Sequence, residues 1–177
     1  MEQYTIIRSF EQKPYVLKAY DEVNKRFVVI KYCHEEELEN YLQVKNFSHL
    51  NFLPILYEYW SLNEEQRNTL YYDVVIVIEF FEGETFYDLR HRWRNESSRS
   101  FPDSWNFLRA LLRSITSLHE AGFIFGDLND KNILWDGHNI KLVDLDGIEP
   151  FKSRDDTLYI GEISDIATIC WIIGNYL

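Results

Sequence analysis

FIFGDLNDKNILWDGHNIKLVDLDG, from Phe123 to Gly147, is the stretch on which the reading of this chain turns. Two short apolar runs, Asn132-Ile133-Leu134-Trp135 and Ile140-Lys141-Leu142-Val143, flank Asp136-Gly137-His138-Asn139, a tetrapeptide of turn residues. The pattern predicts a β-hairpin. Polar groups stand at both open ends: Asp127 and Asn132 before it, Asp144 and Asp146 after it. A hairpin returns the chain to its start, so Asn132 and Asp144 are expected side by side. An amide oxygen and a carboxylate there are hard ligands of the kind Mg²⁺ takes, and Mg²⁺ accepts substrate phosphates in its shell. Asp127 has no obvious partner nearby, which suits a proton acceptor. Any one of these carboxylates alone reads as a turn cap; the ordered set at this spacing favours a site.

Asp127-x-x-x-x-Asn132 followed by Asp144-Leu145-Asp146-Gly147 resembles the catalytic loop and metal-binding loop of the protein kinase-like superfamily. The resemblance implies an α+β, two-lobe fold. Its N-lobe would be a five-stranded antiparallel sheet with one helix, and its C-lobe truncated and mainly helical. Residues 1–177 would form a single kinase-like domain, with the N-lobe at 1–80, the hinge at 81–84 and the C-lobe at 85–177. It also implies ATP and Mg²⁺ as cofactors, Asp127 as the catalytic carboxylate, Asn132 and Asp144 as metal ligands, and Leu134 in the nucleotide-binding set.

Composition sets outer bounds. The chain has 177 residues, 46% of them apolar and 16% aromatic, which is too hydrophobic for a disordered segment. A net charge of -11 argues against nucleic acid or an anionic membrane as the main partner. Cys33 and Cys170 lie far apart in apolar surroundings and read as reduced core residues of a cytoplasmic protein. Neither a standard secretion signal nor a bilayer-spanning apolar run is visible.

Tyr4 to Ser9, Tyr15 to Tyr20 and Arg26 to Cys33 read as an antiparallel meander, with Asp21 to Lys25 as a polar turn. A lysine inside an apolar strand is either edge protection or a functional cation. Val28-Val29-Ile30-Lys31 resembles the kinase strand whose lysine holds the α- and β-phosphates, so Lys31 is the expected cation, with Val16 and Val29 against the adenine. Kinases cover the phosphates with a Gly-rich loop. Here Ser9-Phe10-Glu11-Gln12-Lys13-Pro14 has no glycine, so backbone N–H groups approach phosphate less closely. Val29 stands where alanine is usual and narrows the pocket.

His34 to Phe47 is helical by composition, with Leu38, Tyr41, Leu42 and Lys45 as its stripe. In kinases a glutamate of this helix pairs the strand lysine. Counting back from His49-Leu50-Asn51-Phe52-Leu53 reaches Asn40, with Glu39 beside it and Glu36 a turn earlier; Glu39 is the expected partner. Leu56 to Leu62 and Leu70 to Phe81 complete the five strands, separated by the charged loop Asn63 to Asn68. Ile78-Glu79-Phe80-Phe81 resembles the hinge: Ile78 would line the back of the pocket, and the backbone of Glu79, Phe80 and Phe81 would meet adenine.

Gly83 leads into a short helix, Thr85 to Trp93, and a polar loop follows at Arg94 to Ser100. Asp103 to Ala121 is the clearest helix, with Trp105, Leu108, Leu111, Leu112, Ile115 and Leu118 as one core face and Gly122 as its stop. His119 reads as structural. Phe125-Gly126 replaces the His-Arg that precedes the catalytic Asp in kinases, which removes the arginine that meets an activation-loop phosphate. Asn129 stands where Ser/Thr protein kinases carry a lysine; Lys131 is the nearest cation. Ile148 to Ile160 would be a short activation segment. Asp165, in the next helix, is expected to steady the catalytic-loop backbone, and Asp146 to support the metal loop. The apolar end of that helix, Trp171 to Leu177, calls for a cover, either the lobe itself or a protein partner, including a second copy.

Three functional readings compete. The first is a divergent Ser/Thr protein kinase without the distal C-lobe. The second is a pseudokinase that binds or mimics a partner protein, favoured by the missing glycines, Val29 and the missing arginine. The third is a sugar or aminoglycoside-like kinase, suggested by Gly126-Asp127 and Asp144-x-Asp146.

Overall fold

The computed structural model describes residues 2–10, 13–47, 49–95, 101–150 and 158–176. The chain divides into two compact units, one made of Met1–Asn46 and Pro54–Phe81, the other of Phe47–Leu53 and Glu82–Leu177.

In the first unit, β1 (Tyr4–Phe10), β2 (Lys13–Asp21), β3 (Arg26–Cys33), β4 (Leu56–Ser61) and β5 (Val74–Glu79) form an antiparallel sheet in the order β1-β2-β3-β5-β4. The strands are rich in Val, Ile and Tyr, which suit a pleated, half-buried surface. Asp21 builds the β2–β3 turn: its Oδ1 accepts from the N–H groups of Val23 and Asn24 at 3.1 and 3.0 Å, and Lys25 adopts a left-handed φ of 53°. Alternation places Ala19, Val28, Ile30, Val75 and Val77 on one face, packed with Tyr4 and Leu62 as a core. β1 and β4 are the two edges of this sheet, yet side chains join them. Gln3 Nε2 donates to Glu58 at 2.8 Å, and the Tyr4 hydroxyl donates to the same carboxylate. The sheet therefore coils enough for side chains to reach from one edge to the other.

Two helices accompany the sheet where one was expected. α1 (Glu35–Val44) follows β3, and α2 (Glu64–Leu70) occupies the segment read as a charged loop. α2 forms because Asn63 and Gln66 make a reciprocal cap: Asn63 Oδ1 accepts from Gln66 N at 2.9 Å, and Gln66 Oε1 accepts from Asn63 N at 3.1 Å. Tyr71 ends it at φ 61°, so β5 begins at Val74 and not at Leu70.

The second unit contains β6 (Glu84–Thr85), α3 (Phe86–Asn95), α4 (Phe101–Glu120), β7 (Phe123–Ile124), β8 (Ile133–Trp135), β9 (Ile140–Leu142), β10 (Glu149–Pro150) and α5 (Leu158–Tyr176). Strands β6, β8 and β9 form one small sheet, and β7 pairs with β10. Phe47–Leu53 joins this unit through main-chain bonds: Leu142 N donates to Phe52 O at 2.8 Å, and the buried Lys141 ammonium donates to Asn51 O at 2.7 Å.

α4 buries Phe107, Leu108, Leu111, Ile115 and Leu118. Trp105 and Leu112, expected on that face, are 49% and 42% exposed. They lie seven residues apart on a neighbouring strip of the helix. Phe107 takes the central position instead, stacked on Phe86 at 4.6 Å and edge-on to Trp135 at 5.6 Å. Gly122 stops the helix at φ 85°, its N–H donating to His119 O. α5 buries Asp165, Ile169 and Ile172 and exposes Ile166, Trp171 and Ile173. No helix among the described residues is long and apolar enough to cross a membrane. Glu11 and Gln12, much of the polar loop at 94–100 and most of the expected activation segment lie outside the described residues.

Candidate active site

In the first unit the strand register gathers the residues expected to meet a nucleotide. Val16 lies opposite Lys31, Val29 opposite Ile78, and Lys31 opposite Ile76. Alternation puts all five on the face opposite the core cluster. Lys18 shares that face, its ammonium 3.8 Å from the Phe80 ring centre and 4.6 Å from that of Phe27. The Glu79 N–H donates to Ile55 O at 2.9 Å, which engages one of the backbone groups assigned to adenine. Phe80 and Phe81 follow it, half-buried.

Lys31 is buried and its ammonium is hydrogen-bonded to the carboxylate of Glu37, itself 4% exposed. This corrects the expected pairing with Glu39, which is exposed. The helix starts at Glu35, so Glu37, Tyr41 and Val44 share the buried side at i, i+4 and i+7, and Glu39 is turned well away from Glu37. The stripe read as Leu38, Tyr41, Leu42 and Lys45 is Glu37, Leu38, Tyr41 and Val44 in the structure. A glutamate in phase with two apolar residues was the available signal.

The second unit holds the hairpin as β8 and β9. Asp136 closes its turn, Oδ1 accepting from His138 N at 2.7 Å and Asn139 N at 2.6 Å, with Asn139 Nδ2 donating to Oδ2 at 3.0 Å. Burial works against the charge of Asp136, but these donors outweigh it and hold its carboxyl below the ordinary aspartate range. Ile133 pairs with Leu142, and Val143 N donates to Asn132 O at 2.9 Å. The ladder therefore runs on to the entry of the hairpin and brings Asn132 next to the exit, where Asp144 follows. Leu134 is at mid-strand, half-buried, opposite Lys141.

Asp144 has φ 69°, a left-handed conformation uncommon for a residue with a side chain, and leads into a 3₁₀ turn at Leu145–Gly147. Leu145 is fully buried, and so is Phe125. Asp146 is exposed.

Asp127 is exposed, and it is not without partners as the sequence suggested. Asn132 Nδ2 donates to its Oδ2 at 3.0 Å and to its backbone O at 3.1 Å; Asn129 Nδ2 donates to the same two atoms at 3.2 Å each. The backbone before it is anchored by the fully buried Asp165, which accepts from Phe125 N at 2.9 Å and Gly126 N at 3.1 Å and meets His119 Nε2 at 3.0 Å. Gly126 has φ 75°. Gly147 packs against the same loop: a Cβ there would stand 2.8 Å from Asp127 N, 2.9 Å from Asp127 Cβ and 3.0 Å from Phe125 O. The α3 start is fastened to the loop as well, by Tyr87 N to Asp130 O at 2.8 Å and by an Arg90–Asp130 ion pair at 2.7 Å. Lys131 lies with its ammonium 5.6 Å from the Tyr87 ring centre.

A family model for the protein kinase domain matches residues 12–161. No curated protein matches the chain. The match spans most of the 177 residues, and the chain belongs to the protein kinase family.

Proposed function

We propose that this member of the protein kinase family transfers the γ-phosphoryl group of Mg·ATP to a hydroxyl of a protein, as a divergent Ser/Thr kinase. The observation that carries this reading is the environment of Asp127. Its Oδ2 is held by two amide donors, and Asp165 braces the backbone before it. A carboxylate held in this way is oriented without being neutralised, as a proton acceptor needs.

Lys31, paired with Glu37, serves the α- and β-phosphates. Val16, Val29 and Ile78 offer an apolar surface for adenine, and the backbone of the 79–81 segment its polar edge. Asn132 and Asp144 fit Mg²⁺ by donor chemistry: a carboxamide oxygen and a carboxylate, both hard oxygens. Bound there, Mg²⁺ supplies charge neutralisation for the phosphates. Asp127 takes the proton of the acceptor hydroxyl as its oxygen bonds to the γ-phosphorus; the bond from that phosphorus to the β–γ bridging oxygen breaks, and ADP leaves with that oxygen. Positioning and charge, more than covalent work by the protein, set the rate. Cys33 is buried as expected, whereas Cys170, read as a core residue, lies on an exposed position of α5.

The second reading is a pseudokinase that binds a partner protein. The absence of glycine from Ser9 to Pro14 and the valine at 29 favour it, and exposed Ile166, Trp171 and Ile173 on α5 offer such a partner, or a second copy, an apolar surface. Calorimetry with Mg·ATP separates the two. Phosphotransfer requires binding that is lost without Mg²⁺ and weakened in Asp144→Asn, followed by transfer of radiolabelled phosphate to protein. No binding at millimolar nucleotide sinks the kinase reading and leaves the binding module.

A further inference from the structure

We propose that Asn129 is a positioning residue that fixes the Asp127 carboxylate. The inference rests on the phosphotransfer reading for its purpose, and on geometry for its substance. Both ends of the Asn129 carboxamide are engaged. Its Oδ1 accepts from Lys131 N at 3.0 Å and Asn132 N at 3.2 Å, closing the turn that leads to Asn132. Its Nδ2 donates to Asp127 Oδ2 and to Asp127 O, at 3.2 Å each.

Asp127 is exposed on a loop. A carboxylate there, if bonded at one point only, would turn freely about its side-chain torsions. Asn132 Nδ2 supplies one donor to Oδ2 at 3.0 Å, and Asn129 supplies the second. Two donors converging from different residues on one oxygen fix the plane of the group and direct the acceptor hydroxyl to Oδ1. Neither amide takes a proton, so the group keeps its capacity as a base. Misplacement of a reacting group by an ångström costs about 100-fold in rate, so the second donor matters even though one already exists.

Two substitutions separate this role from turn closure. Asn129→Asp keeps an oxygen for the N–H groups of Lys131 and Asn132 but offers Asp127 no donor. Asn129→Ala removes both functions. A residue that only closes the turn predicts that Asn129→Asp behaves as wild type and Asn129→Ala does not. A positioning residue predicts that both are damaged, with kcat lower by about 10- to 100-fold and KM for ATP within about twofold.

The contact itself is read by NMR on the ¹⁵N-labelled full chain. The Asn129 side-chain amide protons are expected to be shifted by hydrogen bonding in the wild type and to move on Asp127→Ala. An Asn129 amide that ignores Asp127→Ala overturns the proposal whatever the kinetics show. An Asn129→Asp variant with wild-type kcat overturns it too. A wild type that binds no Mg·ATP and transfers no phosphate is a different failure. It removes the phosphotransfer reading, and with it the catalytic purpose assigned to Asn129, while the NMR result still decides whether the two side chains are joined.

Discussion

A side chain on Gly126 would run into the carbonyl oxygen of Gly147. The loop that carries Asp127 and the loop that follows Asp144 thus meet backbone to backbone, with no room for a methyl group. Gly126 also holds φ at 75°, where a Cβ is strained in any case. Gly126→Ala is expected to destabilise the fold by about 1–3 kcal/mol and to displace Asp127 relative to the 3₁₀ turn. Phosphotransfer should fall further than stability alone explains. Thermal unfolding and kcat on the same preparation check this; a variant with unchanged melting and unchanged kcat contradicts the close approach.

The Lys31–Glu37 pair makes a prediction in which two neighbouring glutamates part company. Glu37→Gln removes the Glu37 charge from beside a buried ammonium, and removing one partner of a buried pair costs about 3–5 kcal/mol. Glu39→Gln, on an exposed position, should stay within about 0.5 kcal/mol of wild type. Replacing both partners, as Lys31→Met with Glu37→Leu, should recover stability and not Mg·ATP binding. Chemical denaturation of the four proteins, with calorimetry on the double variant, tests both halves. Equal effects of Glu37→Gln and Glu39→Gln contradict the pairing.

What could be read from the residues follows the range of the interactions. The Ile133–Leu142 hairpin was legible because its turn chemistry is local to Asp136, Gly137 and Asn139. The first three strands of the first unit were legible as a meander, but not that β5 rather than β4 lies beside β3, since that pairing joins residues as distant in sequence as Lys31 and Ile76. Glu37 was missed because the phase of the α1 stripe was set on Leu42 and Lys45, positions the fold leaves near the surface. α2 was missed because it buries none of its residues, so no apolar stripe exists to be seen; Asn63-x-x-Gln66 was its signal. The partners of Asp127 were missed because Asn129 was weighed as a lost lysine, not as an amide with a donor and an acceptor. Trp105 and Leu112 show the opposite error, an apolar strip taken as core that the fold leaves exposed.

Asp165 anchors a backbone 40 residues away in sequence, and its removal should act on the loop before it acts on the helix. Asp165→Ala leaves the N–H groups of Phe125 and Gly126 without their acceptor, and Phe125 is fully buried. An unsatisfied buried donor costs about 1–3 kcal/mol. The midpoint of thermal unfolding should drop by roughly 2–4 °C per kcal/mol for a chain of this size. Amide hydrogen exchange gives the sharper check, because Phe125 and Gly126 should lose protection well before the interior of α5 does. Unchanged protection at both amides contradicts the role assigned to Asp165.

The Tyr4–Glu58 contact predicts an alkaline limit to stability. Burial, and then the hydrogen bond to Glu58, push the Tyr4 hydroxyl up from 10.0 to about 12. The folded state thus binds this proton more tightly than the unfolded state does. The sign follows: the contribution is complete below pH 10, and it is lost as pH rises through 10 toward about 12. Tyr57 and Tyr72 are raised as well, chiefly by burial, so they add to the same slope. Tyr4→Phe should therefore cost about 1 kcal/mol at neutral pH, where the Glu58 bond is lost, and should flatten the decline above pH 10 without abolishing it. Denaturant midpoints of wild type and Tyr4→Phe measured from pH 7 to 11 check both parts. Parallel curves across that range would mean that the hydroxyl titrates alike in the folded and unfolded chain, and that the bond closing the edges of the sheet does not hold in solution.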